Sequence, residues 1–486
     1  MRDPKFNRDS SYLFLGNVSV AILGLISGLI IIHNLDITNY GKWVLLLDLS
    51  LTLGSIVDFG LPNVIVRKWD GDAKSLGPFL SISQTVQRKI IFLIIIISNL
   101  SYLLLQNYHN LPFYPWFFLI LGSSMNYLLG SYRMGLRLLG EAREESFALI
   151  LDRVTMILCL YASTFFKSTL LSLSVAYSIG MVISFFYSRW RFISNLEPKF
   201  VVNHVTLPTQ KDLIFDSFPF ALTLLVIPMI GRIDKFVLGF FKGYEAVSVF
   251  NIAWLVILTG LLVPISIRQG AIAVFGNEKM KKSNLHDVIA DSRGIVSLLT
   301  IIGIPSAILI THISFDTLFP NNLIQNQLFE VSGISLVILL LPAWIWAMLG
   351  CIELESLKLE KSPWAFSSIL LFGLLINLIF SLLLIPKFET IGAAFSTGLS
   401  FFIIFLLATY YSGIYMTSKS LSIRKFIYGS LLSIILYLYA VQVTADGITE
   451  NLIYYFIAYI LSSTILYPDL IYLYRNFISK KKIMEA

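Results

Sequence analysis

Residues 218–254 read FPFALTLLVIPMIGRIDKFVLGFFKGYEAVSVFNIAW, an apolar stretch of membrane-spanning length with charge at its centre. At this centre lie Arg232, Asp234 and Lys235, and apolar residues flank them on both sides. A charged side chain in hydrocarbon costs roughly 2.5–3.5 kcal/mol on insertion scales unless it is paired or solvated. The stretch therefore predicts a membrane helix whose charged residues line a water-filled pathway.

The whole chain has the composition of an integral membrane protein. Of its 486 residues, 56% are hydrophobic and 13% are charged, and the mean hydropathy is +0.78. Soluble domains carry about 25% charged residues. We predict an all-α membrane protein with about 14 transmembrane helices, because 14 apolar runs are long enough to cross a bilayer. They lie roughly at 11–32, 43–66, 90–107, 113–131, 147–166, 170–187, 213–235, 247–267, 294–312, 329–350, 365–385, 391–411, 426–443 and 451–473.

The distribution of basic residues predicts the orientation of the chain. With the amino terminus in the cytoplasm, 29 of the 36 Lys and Arg residues fall in inner segments. The positive-inside rule then places both termini in the cytoplasm. The net charge of +7 is accounted for by these loops, so no nucleic-acid partner is expected. Cys159 and Cys351 lie in apolar runs without metal-ligand spacing, and no metal or cofactor is predicted.

The helices divide into two sets of six and a final pair. We predict a first lobe at 1–192, a cytoplasmic linker at 193–212, a second lobe at 213–415, and two further helices with a basic tail at 416–486. Internal duplication is common among transporters. Because each lobe has an even number of helices, the repeat would be parallel, with a central cavity between lobes that rock in alternating access.

The second predicted helix carries a polar stripe. Asp48, Thr52, Ser55 and Asp58 follow one another at helical spacing and share one face. Two interpretations stay open: the stripe lines a cavity, or it is a packing seam satisfied by neighbouring helices. Single polar residues in other apolar runs predict interhelical hydrogen bonds: Asn17, Asn251 and Asn377.

The seventh predicted helix presents two cations on one face. Arg232 and Lys235 are three residues apart, whereas Asp234 lies about 200° around the helix from Arg232. Asp234 therefore does not simply neutralise Arg232. Two cations suit a phosphate or another anion, since Arg offers a planar donor fork and Lys a point charge. The alternative is snorkelling into the headgroups, because the cluster lies about 29 Å along the helix from Leu213.

Further charged residues are candidates for the substrate path or its cytoplasmic entrance. Asp152 and Arg153 lie within the fifth predicted helix, where they form either structural ion pairs with neighbouring helices or a substrate contact. Arg133 and Arg137 share a face at the inner end of the fourth helix, and Arg268 lies at the inner end of the eighth. These three either enforce topology or guide the substrate inward.

Three stretches of the sequence also carry a family resemblance. The seventh and eighth helices of Wzx-type polysaccharide flippases are similar to residues 218–220 and 233–250. Their eleventh and twelfth helices are similar to residues 376–397. Tyr40-Gly41 with Asp58-Phe-Gly-Leu-Pro62 looks like their second helix. These flippases belong to the superfamily of the multidrug and toxin extrusion exporters. Together with the predicted helix count, the resemblance covers nearly the whole chain. The sequence departs at Phe250, where the family usually has Tyr, and at Glu389, where it usually has Gly.

The resemblance implies two six-helix lobes around a central cavity and a lipid-linked oligosaccharide as substrate. We therefore expect a transporter rather than an enzyme, which moves an undecaprenyl-pyrophosphate-linked glycan repeat from the inner to the outer leaflet of a bacterial cytoplasmic membrane. Its partners would be the lipid bilayer, the glycan lipid and the polymerase and chain-length machinery of a surface polysaccharide such as O-antigen or capsule. Coupling to H⁺ or Na⁺ is open.

Two rival functions are weighed against this expectation. A multidrug exporter would want a cavity dominated by carboxylates such as Asp48 and Asp58, and Arg153, Arg232 and Lys235 argue against it. A membrane-embedded polymerase or glycosyltransferase would need a sizeable outer loop, and the longest predicted one has about 15 residues.

Overall fold

The computed structural model describes residues 4–68, 73–105, 111–165, 169–196, 209–255, 257–258, 335, 338–339, 343 and 362–412. Within these ranges the chain is helical between short connections, and no strand is found. The helices are α1 (Pro4–Asn34), α2 (Ile37–Asp58), α3 (Leu61–Lys68), α4 (Ala73–Leu105), α5 (Phe113–Leu138), α6 (Ala142–Thr164), α7 (Leu170–Leu196), α8 (Gln210–Lys242), α9 (244–255) and α10 (Pro363–Ser412).

The described part of the chain confirms an all-α membrane architecture. Seven of its stretches are long and apolar enough to cross a membrane, and the longest runs from Pro363 to Ala408. The predicted runs at 294–312, 426–443 and 451–473 lie outside the described residues, as does most of the run at 329–350. The total of 14 helices and the division into lobes stay predictions.

Helix α4 is much longer than the third predicted run, at 90–107, to which it corresponds. It begins at Ala73, and its added turns carry two buried glutamines that hydrogen-bond to α5. The Gln84 side-chain amide donates to the Leu128 carbonyl at 3.3 Å, and Ser131 donates to Gln87 at 2.9 Å. Each glutamine thus has one hydrogen bond to a neighbouring helix, which offsets part of the cost of burying its amide.

The helix with the charged centre packs along α2 and α3 in the opposite direction. We call this contact the α2–α8 seam and include in it the start of α9. From one end to the other its contacts are Lys68 with Asp216, Gly60 with Phe220, Leu45 with Gly239, and Lys42 with Tyr244. The register is therefore continuous, and α8 joins the α1–α7 bundle to α10, its other main packing partner.

The predicted run at 43–66 is broken into α2 and α3. Phe59 and Gly60 have φ of 49° and 67°, and the Gly60 amide donates to Asp58 at 3.1 Å. A Cβ at Gly60 would lie 2.5 Å from Cβ of Phe220. Glycine is thus required twice over, for its left-handed backbone and for the close approach of α8.

The last described helix turns back on itself at Glu389, where φ is 51° and ψ is −126°. A Cβ at Gly392 would lie 2.6 Å from the Leu384 carbonyl oxygen, and Gly373 lies against Ile404, so the two arms pack antiparallel. This confirms the predicted helix pair at 365–385 and 391–411. Glu389 is the position where the resembling family usually has Gly, and its positive φ costs about 1–3 kcal/mol.

One apolar core continues from the α1–α7 bundle across the seam to α10. Buried large side chains from both sides belong to it, including Trp43, Leu119, Trp254 and Phe401. Hydrophobic packing therefore surrounds the buried polar residues in the middle of the seam. That enclosure is what makes their pairing consequential.

Gly41 provides a test of the seam. Its Cβ would overlap the Tyr244 carbonyl oxygen, whereas a Cβ at Gly24 meets nothing within 4 Å. We predict that Gly41→Ala lowers the thermal unfolding midpoint of the purified protein, although alanine is favoured over glycine in a helix by roughly 0.5–1 kcal/mol. Gly24→Ala is the matched control and should leave the midpoint equal or raised. Equal midpoints for the two variants would contradict the close contact of α2 with α9.

Candidate functional site

A cluster of polar side chains crosses the α2–α8 seam within the membrane-spanning part of both helices. We call it the seam cluster, and it comprises Tyr40, Asp48 and Thr52 of α2, Arg232 and Lys235 of α8, and Asn251 of α9. The polar face of α2 and the cationic face of α8 that the sequence predicted are therefore turned toward each other.

Asp48 is the centre of this cluster. Its Oδ2 accepts from the Lys235 Nζ at 2.7 Å, and its Oδ1 lies 3.3 Å from the Arg232 Nε. Arg232 also donates from Nη1 to the Thr52 hydroxyl at 3.0 Å. One carboxylate on α2 thus holds two cations on α8, and the three charges sum to +1.

Two neutral side chains extend the cluster toward α9. The Lys235 Nζ donates to Asn251 Oδ1 at 2.6 Å, and the Asn251 amide donates to the Tyr40 hydroxyl at 2.8 Å. The sequence predicted an interhelical hydrogen bond for Asn251 but not its charged partner, and it offered no electrostatic role for Tyr40. A polar residue in an apolar run next to a charged helix was the available signal.

The cluster is deeply enclosed. The side chain of Lys235 is 4% exposed, that of Asp48 12% and that of Arg232 15%. Snorkelling would have turned the Arg232 guanidinium toward the headgroups, and the structure instead places it against α2. Since water is scarce at such burial, each charge depends on its ion-pair and hydrogen-bond partners.

The rest of the α2 stripe does not reach the two cations directly. Ser55 donates to the Thr52 carbonyl of its own helix at 2.7 Å. Asp58 is bonded to the Gly60 amide at the helix break and lies beside Gly130 of α5. The structure therefore divides the stripe into a half that meets α8 and a half that ends the helix.

Asp234 points away from the seam cluster, as its rotation around the helix predicts. It is fully buried against α10, where it accepts hydrogen bonds from Ser381, at 2.6 Å, and from Thr397. Asn377 lies in the same place and donates to the Ile230 carbonyl at 2.7 Å. Among the described residues, no cation lies within ion-pair distance of this carboxylate.

A second charged cluster lies between α5 and α6. Asp152 Oδ2 is 3.6 Å from Arg133 Nη2 and 4.0 Å from Arg153 Nε. These distances exceed those of a good hydrogen bond. Within the described part of the chain Asp152 Oδ1 and Arg153 Nε have no hydrogen-bond partner. Here too two cations share one carboxylate.

The other two candidates for the cytoplasmic entrance are Arg137 and Arg268. Arg137 is buried and donates two hydrogen bonds to Glu145. The distance from Arg137 Nε to Glu145 Oε2 is 2.9 Å. These hydrogen bonds hold α6 against α5, and the sequence did not identify Glu145 as the partner of Arg137. Arg268 lies outside the described residues.

Within the ranges that the structure describes, no group of three or more His, Cys, Asp or Glu could hold a metal ion.

Comparison with known proteins places this architecture in a family. A family model described as "Polysaccharide biosynthesis protein" matches residues 6–272, more than half of the chain, and takes in α1–α8 and both charged clusters. The chain belongs to this family. No curated protein sequence matched it.

Solved structures share the fold of this chain. "Lipid II flippase MurJ, inward closed conformation" is 17% identical, covers 94% of this chain and 99% of its own, and has a TM-score of 0.65. A mutant of the MATE transporter VcmN from Vibrio cholerae is 12% identical, with coverages of 84% and 96% and a TM-score of 0.59. A MOP superfamily transporter from Pyrococcus furiosus is 16% identical, covers 85% of this chain and 96% of its own, and has a TM-score of 0.57. These likenesses show the fold of MOP superfamily transporters, which confirms the predicted fold class.

The seam cluster predicts a specific pattern of stability. Asp48→Asn leaves the Lys235 ammonium buried without its carboxylate and should cost on the order of 3 kcal/mol. The second change Lys235→Met keeps the volume and removes the stranded charge, so Asp48→Asn/Lys235→Met should recover part of the loss. Thermal unfolding of the purified variants measures both. A double variant less stable than Asp48→Asn alone would contradict the pairing.

Proposed function

We propose that this protein is a flippase that translocates an undecaprenyl-pyrophosphate-linked oligosaccharide repeat from the inner to the outer leaflet of a bacterial cytoplasmic membrane, for the synthesis of a surface polysaccharide. The observation that carries the proposal is the seam cluster, in which the two cations Arg232 and Lys235 are buried between membrane-spanning helices with the single carboxylate of Asp48. Family membership in polysaccharide biosynthesis and a transporter fold support it.

The geometry suggests how an anionic headgroup would act. A diphosphate carries at least two negative charges and several acceptor oxygens, so it can replace Asp48 as the partner of both cations. Arg232 would supply the planar donor fork and Lys235 the point charge. Asp48 is thus an internal counter-ion that occupies the cations while no substrate is bound.

Replacement of Asp48 would also alter the seam. Asp48 belongs to α2 and the cations belong to α8, so the ion pairs of the substrate-free state hold the two helices together. An anion bound to α8 alone removes those bonds. We infer that substrate binding loosens the seam and favours rocking of the predicted lobes, which is the step that alternating access requires.

The second charged cluster supports the same substrate class. Arg133 and Arg153 share Asp152 through long contacts and retain unused donors. A headgroup that left Arg232 would find another site with excess positive charge in the α1–α7 bundle. With the inside negative, outward movement of about two negative charges gains about 4–5 kcal/mol per 100 mV, since each charge contributes roughly 2.3.

Orientation and partners complete the proposal. The basic inner segments support cytoplasmic termini and an inner leaflet source. A polymerase that receives the flipped repeat is the class of partner that must consume the product. The predicted division at 1–192, 193–212, 213–415 and 416–486 is part of this proposal, and the structure extends α7 to Leu196 and begins α8 at Gln210, each inside the predicted linker.

Ion coupling, if the protein uses it, would act at Asp234. This carboxylate is fully buried and its described partners are the neutral groups of Ser381 and Thr397. A buried carboxylate without a cation favours a bound proton or a small cation with oxygen ligands. Asp234 moves with α8, so occupancy of its site can bias the helix that carries Arg232 and Lys235.

A multidrug exporter of the MATE type is the alternative with the same fold. A cationic drug would need a carboxylate free to receive it. Asp48 is committed to two cations, and Asp152 lies between two arginines. The excess charge in both clusters is positive, which opposes a cationic substrate. A membrane-embedded polymerase or glycosyltransferase has no specific observation in its favour.

The transport role of the two α8 cations is testable with matched variants. The measurement is the rate at which headgroup-labelled lipid-linked glycan reaches the outer leaflet. Arg232→Gln and Lys235→Gln should each lower this rate about tenfold, because each removes a charge-assisted hydrogen bond to the headgroup. Arg232→Lys should recover part of the rate because it keeps the charge without the fork. Lys242→Gln, on the same helix but paired with exposed Glu389, is the control and should transport normally. Wild-type rates in both Gln variants would remove the seam cluster from the substrate path.

The coupling proposal has its own measurement. In reconstituted vesicles, Asp234→Asn should abolish any response of transport to a Na⁺ or pH gradient, because the neutral amide cannot exchange a proton or balance a cation. Asp216→Asn makes the same change on the same helix, at a carboxylate paired with Lys68 near its start, and should keep the response. An unchanged gradient response in Asp234→Asn would move the coupling site elsewhere and leave the flippase proposal standing.

A further inference from the structure

A groove opens on the outer surface of the α1–α7 bundle, away from the seam. It has a volume of about 360 Å³ and lies between α1, α6 and α7. Its polar wall is formed by Arg143, Glu144, Tyr187 and Arg191, and Tyr12 and Gly16 of α1 close it from the other side. None of these residues belongs to the seam cluster or to the Asp152 cluster.

The groove lies at the level where hydrocarbon meets headgroups. Arg143 is the second residue of α6, and Arg191 is five residues before the end of α7. The 27 residues of α7 rise about 40 Å, whereas a hydrocarbon core is about 30 Å thick. The last turns of α7 therefore extend into the headgroup region. Trp190 beside the groove is 59% exposed, as expected for an aromatic side chain at this interface.

The polar wall is arranged around one fixed arginine. Arg191 donates from Nε to Glu144 at 2.7 Å and lies over the Trp190 ring, with 5.3 Å between its Cζ and the ring centroid. The Tyr187 hydroxyl donates to the same carboxylate at 3.2 Å. An arginine has five N–H donors, so the pair with Glu144 leaves several free. Arg191 is thus oriented but not saturated.

Arg143 supplies the unbalanced charge. It is exposed at the rim, and among the described residues no carboxylate lies within 4.0 Å of its guanidinium. The wall therefore carries two cations against the single carboxylate of Glu144. A cation at a membrane interface attracts anionic lipid with about 1 kcal/mol per basic residue.

The remaining wall of the groove is apolar and continues onto the lipid-facing surface. Leu15 is 60% exposed and Phe147 51%, and both line the groove. Gly16 allows Ser146 to approach so closely that a Cβ there would lie 2.9 Å from Cβ of Ser146. The ligand that fits has an anionic head at the rim and an apolar chain that runs along α1 and α6.

We propose that this groove binds an anionic phospholipid of the surrounding bilayer, with its phosphate at Arg143 and Arg191 and an acyl chain against Leu15 and Phe147. The site is separate from the proposed transport path and does not depend on the proposed function. A lipid bound there would join α1, α6 and α7 at their headgroup ends.

Native mass spectrometry of the purified full chain tests this proposal. Phosphatidylglycerol should bind in preference to phosphatidylcholine, and Arg143→Gln should lower its retention about fivefold, since it removes one interfacial cation. Arg189→Gln makes the same change in charge at an exposed arginine near the end of α7 that does not line the groove, and it should retain the lipid. Equal thermal midpoints would show that both variants are folded.

The outcomes that would overturn the site are distinct. Equal loss of lipid in Arg143→Gln and Arg189→Gln would show diffuse attraction to a basic surface. Equal retention of phosphatidylglycerol and phosphatidylcholine would show no anion site. Competition by inorganic phosphate alone, at concentrations equal to the lipid, would show a simple anion site in place of a lipid site.

Discussion

The rest of the structure depends on one requirement, that two cations on a membrane-spanning helix be neutralised where water is scarce. Arg232 and Lys235 cannot both be buried in α8 unless another helix brings a carboxylate to them, and α2 does so with Asp48. That pairing fixes the register of α2 against α8 and, through α8, the position of α10. Hydrophobic packing holds the helices together without direction, whereas this ion-pair network specifies which residues must meet.

Three buried carboxylates illustrate how the same group takes different roles. Asp48 has two close cations, Asp152 has two distant ones, and Asp234 has hydroxyl partners in the described part of the chain. The first is suited to be displaced by a stronger anion, the second leaves donors free, and the third favours an added positive charge. The environment of each group, rather than its presence in a membrane helix, determines what it can bind.

Much of the fold and of the candidate site could be predicted from local sequence, because helical periodicity determines which residues share a helix face. The shared face of Arg232 and Lys235, the opposite direction of Asp234, and the hairpin around Glu389 all follow from spacing or from apolar runs. That the α2 stripe meets the α8 cations, and that Asn251 and Tyr40 join them, depends on tertiary packing that spacing does not encode. The early start of α4 was missed because Gln84 and Gln87 look polar in sequence and are paired only in the fold.

The antiparallel register of the seam restricts how this chain can vary. Phe220 of α8 is fitted against Gly60 at the break between α2 and α3, and Gly239 of α8 is fitted against Leu45 of α2, so the helix cannot slide to absorb a change in length. One inserted residue before Arg232 would rotate everything beyond it by about 100° and carry Arg232 and Lys235 away from Asp48. This segment can exchange side chains over time, but its residue count is fixed, and insertions must collect in the connections outside it.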